Sequence, residues 1–188
     1  MEVRSVYHQL PQHLQEEWAI IQRAKENPSA FAPLYSKYYK QIYSYILNRS
    51  GDSEQAADAT SQVFLKALSH IGSYQFKGVP FASWLYRIAK SEVYQSHREK
   101  KITSADSLNL KSDEVDFLEF EDDVNEERKY RLLRAIKALK SAEIELIELR
   151  FFERLSFSEI GEIKGYTENN AKVKTFRVLQ KLKRALAE

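Results

Sequence analysis

The chain has 188 residues, 29 Lys+Arg against 27 Asp+Glu, four histidines, no cysteine and a formal net charge of +2. Its length allows one ordinary domain or two small ones, and the absence of cysteine excludes a disulfide scaffold, a thiolate metal site and a cysteine nucleophile. No run of 18 apolar residues occurs, and the N-terminal stretch MEVRSVYHQLPQHLQEEW lacks a signal-peptide core, so a cytoplasmic protein is expected. With only five glycines and four prolines among many Ala, Leu, Glu, Lys, Gln and Arg, the expected fold is all-α: two small helical domains joined by a flexible acidic linker.

Residues 1–26 read as an N-terminal tail or first helix. The first module is expected over 27–101. Asn27-Pro28 is a helix start, and the helix runs to Ser50-Gly51 with Pro33 in its first turns. Its apolar stripe is Phe31, Leu34, Tyr35, Tyr38, Ile42, Tyr45 and Ile46. Asp52 or Ser53 opens a second helix, SEQAADATSQVFLKALSHI. A loop, IGSYQFKGVP, spans 71–80, and a third helix runs from Phe81 to about Lys101. That helix buries Phe81, Leu85, Ile88 and Ala89, with Trp84 better read as core. Its other side offers Arg87, Lys90, Ser91, Tyr94, Gln95, Arg98 and Lys101. Rings among cations suit single-stranded nucleic acid, because bases stack on the rings while phosphates pair with the charges. Tyr74 and Phe76, in a glycine-flanked loop, are less easily explained as core.

Charge is unevenly spread. Residues 1–101 carry a balance of +4, residues 102–127 a balance of −9 with Lys111 their one basic residue, and residues 128–188 a balance of +7. Like-charge repulsion favours an extended, mobile linker over 102–124. Phe117, Leu118 and Phe120 among the acids also suit a nucleic-acid mimic that docks in a basic channel of a partner. No carboxylate pattern there has the spacing or glycine of a calcium loop.

The second module, 125–188, carries the strongest pattern. Ser141 can cap a helix through ELIELRFF that ends near Arg154. Ser156-Phe-Ser-Glu159 is a capping box that opens a short helix with Ile160 and Ile163 facing inward. Gly165 supplies a left-handed turn, and Thr167 can cap a longer helix to about Leu186. Along it Ala171, Thr175, Val178 and Leu182 form the inward stripe. Asn169, Asn170, Lys172, Lys174, Phe176, Arg177, Lys181, Lys183 and Arg184 occupy the other faces. A short helix, a glycine turn and a longer basic helix make a helix-turn-helix, whose second helix enters the major groove of DNA.

At these residues the chain resembles the bacterial RNA polymerase sigma factors of the small extracytoplasmic-function (ECF) group. FAPLYSKYYKQIYSYI, GDSEQAADATSQVFLKA and PFASWLYRIAKSEV are similar to the family's region 2. LIELRFFERLSFSEIGEIKGYTENNAKVKTFRVLQKLKRAL is similar to its region 4. The resemblance implies a transcription initiation factor that binds core RNA polymerase, directs it to promoters and helps melt the −10 element. It implies docking on the clamp helices of the largest subunit through Asp58, Thr60, Ser61, Gln62, Phe64 and Lys66, and contact of region 4 with the flap. It implies capture of a flipped −10 base by loop 71–80, with Tyr74 and Lys77 as candidates, beside Arg87, Lys90, Ser91, Tyr94, Gln95 and Arg98. It implies duplex reading at −35 through Asn169, Asn170, Lys172, Lys174, Phe176, Arg177 and Lys181. An anti-sigma factor is a further partner of such proteins.

Ser61, Ser91, Gln95 and Asn169-Asn170-Ala171 depart from the family's commonest residues; the last three leave promoter sequence open. The alternative is a stand-alone helix-turn-helix regulator, which would bind a specific duplex without polymerase. An enzyme is not expected: His8, His13, His70 and His97 show no metal-binding spacing, and no catalytic residue, cofactor, metal or membrane insertion is implied.

Overall fold

The structure, a computed structural model, describes residues 11–103 and 126–187, with the backbone alone at 94–103, 126–130, 133 and 187. The acidic segment over 104–125 therefore lies outside the described residues, as do the expectations placed on it. The chain divides into two compact units, residues 1–109 and 110–188. No strand occurs among the described residues.

In the first unit, α1 spans Gln12–Glu26 and buries Leu14, Glu17, Ile21 and Ala24 along one stripe. Residues 1–26 thus include a helix that belongs to the body of this unit. Asn27 accepts the Ser29 amide at 3.1 Å and turns the chain into a short 3-10 segment, Pro28–Phe31. Then α2 covers Ala32–Ser50, with Pro33 in the first turn, where a missing N–H costs nothing. Asp52 caps α3, Ser53–His70, by accepting the Glu54 and Gln55 amides at 2.9 and 3.0 Å. The single turn Ile71–Ser73 leads into the loop, and α4 runs over Ala82–Thr103.

Aromatic residues fill the space between these helices. Tyr45 and Tyr86, both fully buried, meet edge to face at 4.9 Å between ring centroids. Phe31 meets Phe64 at 6.4 Å and Phe81 at 6.2 Å in the same manner. Each ring so buried stabilises the unit by about 1.5–3 kcal/mol relative to exposure. Of the expected stripe on α2, Tyr35 alone is exposed, at 41%.

In the second unit, α5 spans Glu126–Lys137 and packs on the C-terminal helix. Lys140, not Ser141, holds the cap position of α6, Ser141–Ile147: its amide donates to Glu143 Oε2 at 2.7 Å. The helix expected to continue to Arg154 instead widens into a π turn, Glu148–Phe152, in which the Glu153 amide reaches back to the Glu148 carbonyl at 3.0 Å. The extra residue lets Leu149 and Leu155 both point inward. Then α7 covers Phe157–Lys164 and α8 Glu168–Ala187. Lys164 on α7 is paired with Glu145 on α6, and each side chain is 4% exposed.

Candidate nucleic-acid interface

The turn between α7 and α8 decides how the basic helix is presented. Ser156 and Glu159 form the expected capping box, the Ser156 amide donating to Glu159 at 2.8 Å and the Glu159 amide to Ser156 at 3.2 Å. Gly165 closes α7 at φ +70°, a region open to glycine at little cost. Gly161 has a different reason: a Cβ there would sit 2.7 Å from the Tyr166 carbonyl oxygen, so a side chain would push the turn away. Thr167 accepts the Asn170 amide at 3.2 Å and starts α8.

Packing then fixes the rotation of α8. Ala171, Thr175, Val178 and Leu182 are buried, so Asn169, Asn170, Lys172, Phe176, Arg177 and Lys181 are left on the exposed sides. Phe176 is 50% exposed and lies 6.3 Å from Phe157. Lys174 is half-buried, with its Nζ 5.0 Å over the Tyr166 ring. Lys181 donates to Glu143 at 2.8 Å, and this bond, followed by that from the Lys140 amide, holds the Glu143 carboxyl below its ordinary pKa. Amides and cations along one helix face can position phosphates and reach base edges.

In the first unit the face of α4 starts with exposed Arg87 and Ser91 and half-buried Lys90. Tyr94, Gln95 and Arg98 continue at helical spacing on the backbone of α4, but their side chains lie outside the described residues. Lys77 is exposed at the tip of the loop. Tyr74 is not. Its ring is 7% exposed, packed 5.2 Å from Phe81 and 4.9 Å from Trp84. The expectation that Tyr74 stacks on an extruded base is corrected, because the apolar cluster beneath the loop claims the ring.

Two of the residues expected to touch a protein partner are also corrected. Thr60 is fully buried and donates to the Ala56 carbonyl at 2.6 Å, and Phe64 is 3% exposed. Both sit on the inner side of α3. Lys66 is half-buried and paired with Glu92 at 2.6 Å. Asp58, Ser61 and Gln62 are exposed, and the same side carries Leu65, 58% exposed. Leu65 lies outside the set expected from the sequence, although its spacing from Asp58, Ser61 and Gln62 places it on their face. On α2 the rings of Tyr35, Tyr39 and Tyr43 succeed each other at 5.2 and 6.1 Å, an i, i+4 ladder whose spacing was visible in the sequence.

Among the described residues no group of His, Asp or Glu could hold a metal ion, and no helix is long and apolar enough to cross a membrane.

Residues 34–102 match the family model of sigma-70 region 2 and residues 135–184 that of sigma-70 region 4. The chain is 30% identical over 174 residues to the ECF RNA polymerase sigma factor BldN of Streptomyces coelicolor, covering 90% of this chain and 65% of that protein. It is 26% identical over 154 residues to the ECF RNA polymerase sigma factor SigM of Bacillus subtilis, covering 80% of this chain and 91% of the relative. Among solved structures, CnrH in complex with the cytosolic domain of CnrY superposes with a TM-score of 0.62 at 16% identity, covering 91% of this chain and 97% of that one. The sigma factor RpoE of Bartonella quintana, in complex with the anti-sigma factor NepR, gives 0.55 at 18% identity, covering 84% and 96%. These two likenesses concern the fold.

Proposed function

This chain belongs to the sigma-70 family, in its ECF group, and is an RNA polymerase sigma factor rather than an enzyme or a stand-alone regulator; from that premise we propose how its two units divide the work. The first unit docks on the clamp helices of core RNA polymerase through Asp58, Ser61, Gln62 and Leu65. Its loop, through Lys77, and the α4 face of Arg87, Lys90, Ser91, Tyr94, Gln95 and Arg98 hold the unpaired −10 strand. Extruding a base costs a few kcal/mol of lost pairing and stacking, which cations and rings along that face offset. The second unit contacts the polymerase flap and sets α8 in the major groove at −35. There Asn169, Asn170, Lys172, Phe176 and Arg177 face the duplex, while Lys174 and Lys181 flank it.

Neither contact need be strong alone. Carried by one polymerase on one polypeptide, the second contact forms at high effective concentration once the first is made. The partners are core polymerase, promoter DNA and an anti-sigma factor that covers the same surfaces until release, and the site of action is the cytoplasm. One observation carries this reading: a single chain joins a unit matching region 2 to a unit matching region 4, in that order. Transcription by core polymerase over a library of randomised promoters tests it. Initiation from a discrete pair of −35 and −10 sequences only when the chain is added is the expected result. No stimulation, or tight specific duplex binding by the chain without polymerase, would overturn it.

A further inference from the structure

The N-terminal helix α1 holds the segment 74–81 at both ends. Near its C-terminal end, Lys25 Nζ donates to the Tyr74 carbonyl at 2.8 Å. Two turns earlier, Glu17 Oε2 accepts the Phe81 amide at 2.6 Å. Glu17 is 3% exposed, and its other carboxylate oxygen accepts Lys37 Nζ at 2.9 Å and the Tyr38 hydroxyl. A buried carboxylate that bonds the amide at the re-entry into α4 fixes that point of the chain, since such charge-assisted bonds are roughly twice as strong as neutral ones. Between the anchors the Trp18 ring lies 5.4 Å from Phe76 and 6.4 Å from Tyr74, with Lys25 Nζ 5.3 Å over it. Gln75, Lys77 and Gly78 stay exposed, while Phe76 and Pro80 are half-buried and Val79 is buried. Residues 75–80 are thus a short span strung between two points, and both points are set by α1.

We infer that α1 is the element that shapes the loop for promoter melting, with Glu17 and Lys25 as positioning residues. This rests on the function proposed above, in which the loop receives an unpaired −10 base. A loop already held in its receiving shape gives up less conformational freedom when the base arrives, so capture is faster and tighter. A loop released at Tyr74 keeps the same exposed residues but must be ordered at the moment of capture. The two anchors act on different bonds: Lys25 holds a carbonyl at the entry, Glu17 an amide at the exit.

The test uses holoenzyme on the promoter that the wild-type protein selects, with 2-aminopurine placed in the −10 element to report opening. Lys25→Met keeps the side-chain stem and removes the donor. Glu17→Gln keeps the shape and an acceptor for Phe81 but removes the charge. Opening by Lys25→Met is expected to slow roughly tenfold, with Glu17→Gln between it and wild type. Affinity for core polymerase and for a −35 duplex should stay within about twofold, and the melting temperature of Lys25→Met should be unchanged. Wild-type opening by Lys25→Met, or opening and core affinity falling in the same proportion in both variants, would overturn the inference. A wild-type holoenzyme that selects no promoter would instead overturn the proposed function, and this inference with it.

Discussion

At the scale of single residues, the contacts each side chain already makes decide what it has left to give. Arg177 is exposed on α8, whereas Lys181 is engaged by Glu143 at 2.8 Å. Because the bonds from Lys181 and the Lys140 amide hold that carboxyl below its ordinary pKa, it stays ionised and keeps its hold on Lys181 as the pH falls from neutrality; protonation releases the lysine only at a pH lower than an ordinary glutamate would need. Arg177→Ala should therefore weaken promoter binding by roughly 1–3 kcal/mol and Lys181→Ala by clearly less, in titrations of holoenzyme at fixed salt. Equal losses would mean that Lys181 abandons Glu143 for the phosphate. Gly161 is limited by space instead. With the Tyr166 carbonyl 2.7 Å from a would-be Cβ, Gly161→Ala should destabilise the second unit by about 1–3 kcal/mol in urea unfolding and weaken −35 binding with it.

At the scale of elements, α3 shows what periodicity can and cannot tell. The pattern placed the helix and its start at Asp52 or Ser53, and Asp52 proves to be the cap because its carboxylate accepts two amides of the first turn. It did not separate the inner from the outer side, which depends on how α2 and α4 approach. So Thr60 and Phe64 were assigned to a partner and are core, while Leu65 was passed over and is 58% exposed. Leu65→Asp should cut affinity for core polymerase at least about tenfold without lowering the melting temperature. Phe64→Ala should instead destabilise the first unit by about 3–5 kcal/mol. The helix-turn-helix was legible almost residue by residue because its signals are local: a capping box, Gly165 and an inward stripe on α8. The π turn at Glu148–Phe152 and the burial of Tyr74 were not, since both answer to residues brought together only by folding.

At the scale of the whole molecule, each of the two compact units has its own core. On the division of work proposed above, joining them in one polypeptide makes two modest grips on DNA act as one. Supplied to core polymerase as two fragments, residues 1–109 and 110–188, the protein should support initiation from the same promoter only at far higher concentration, on the order of 10²–10⁴-fold. Measured as the concentration giving half-maximal transcript, an undiminished response from the fragments would show that polymerase alone brings the units together. That the chain holds two helical units was legible from charge and pattern. The place of α1 in the first body was not, because its stripe of Leu14, Glu17, Ile21 and Ala24 includes a carboxylate that looks like a surface residue until its three partners are seen.

The ion pair between Glu145 and Lys164 has a bearing on descent. With both side chains withdrawn from water, losing either one takes the opposite charge away from its buried mate, at a cost of about 3–5 kcal/mol, whereas exchanging both for well-packed apolar residues can be neutral or better. A lineage can leave this arrangement only by altering the two positions in near succession, so drift at one site is tied to drift at the other.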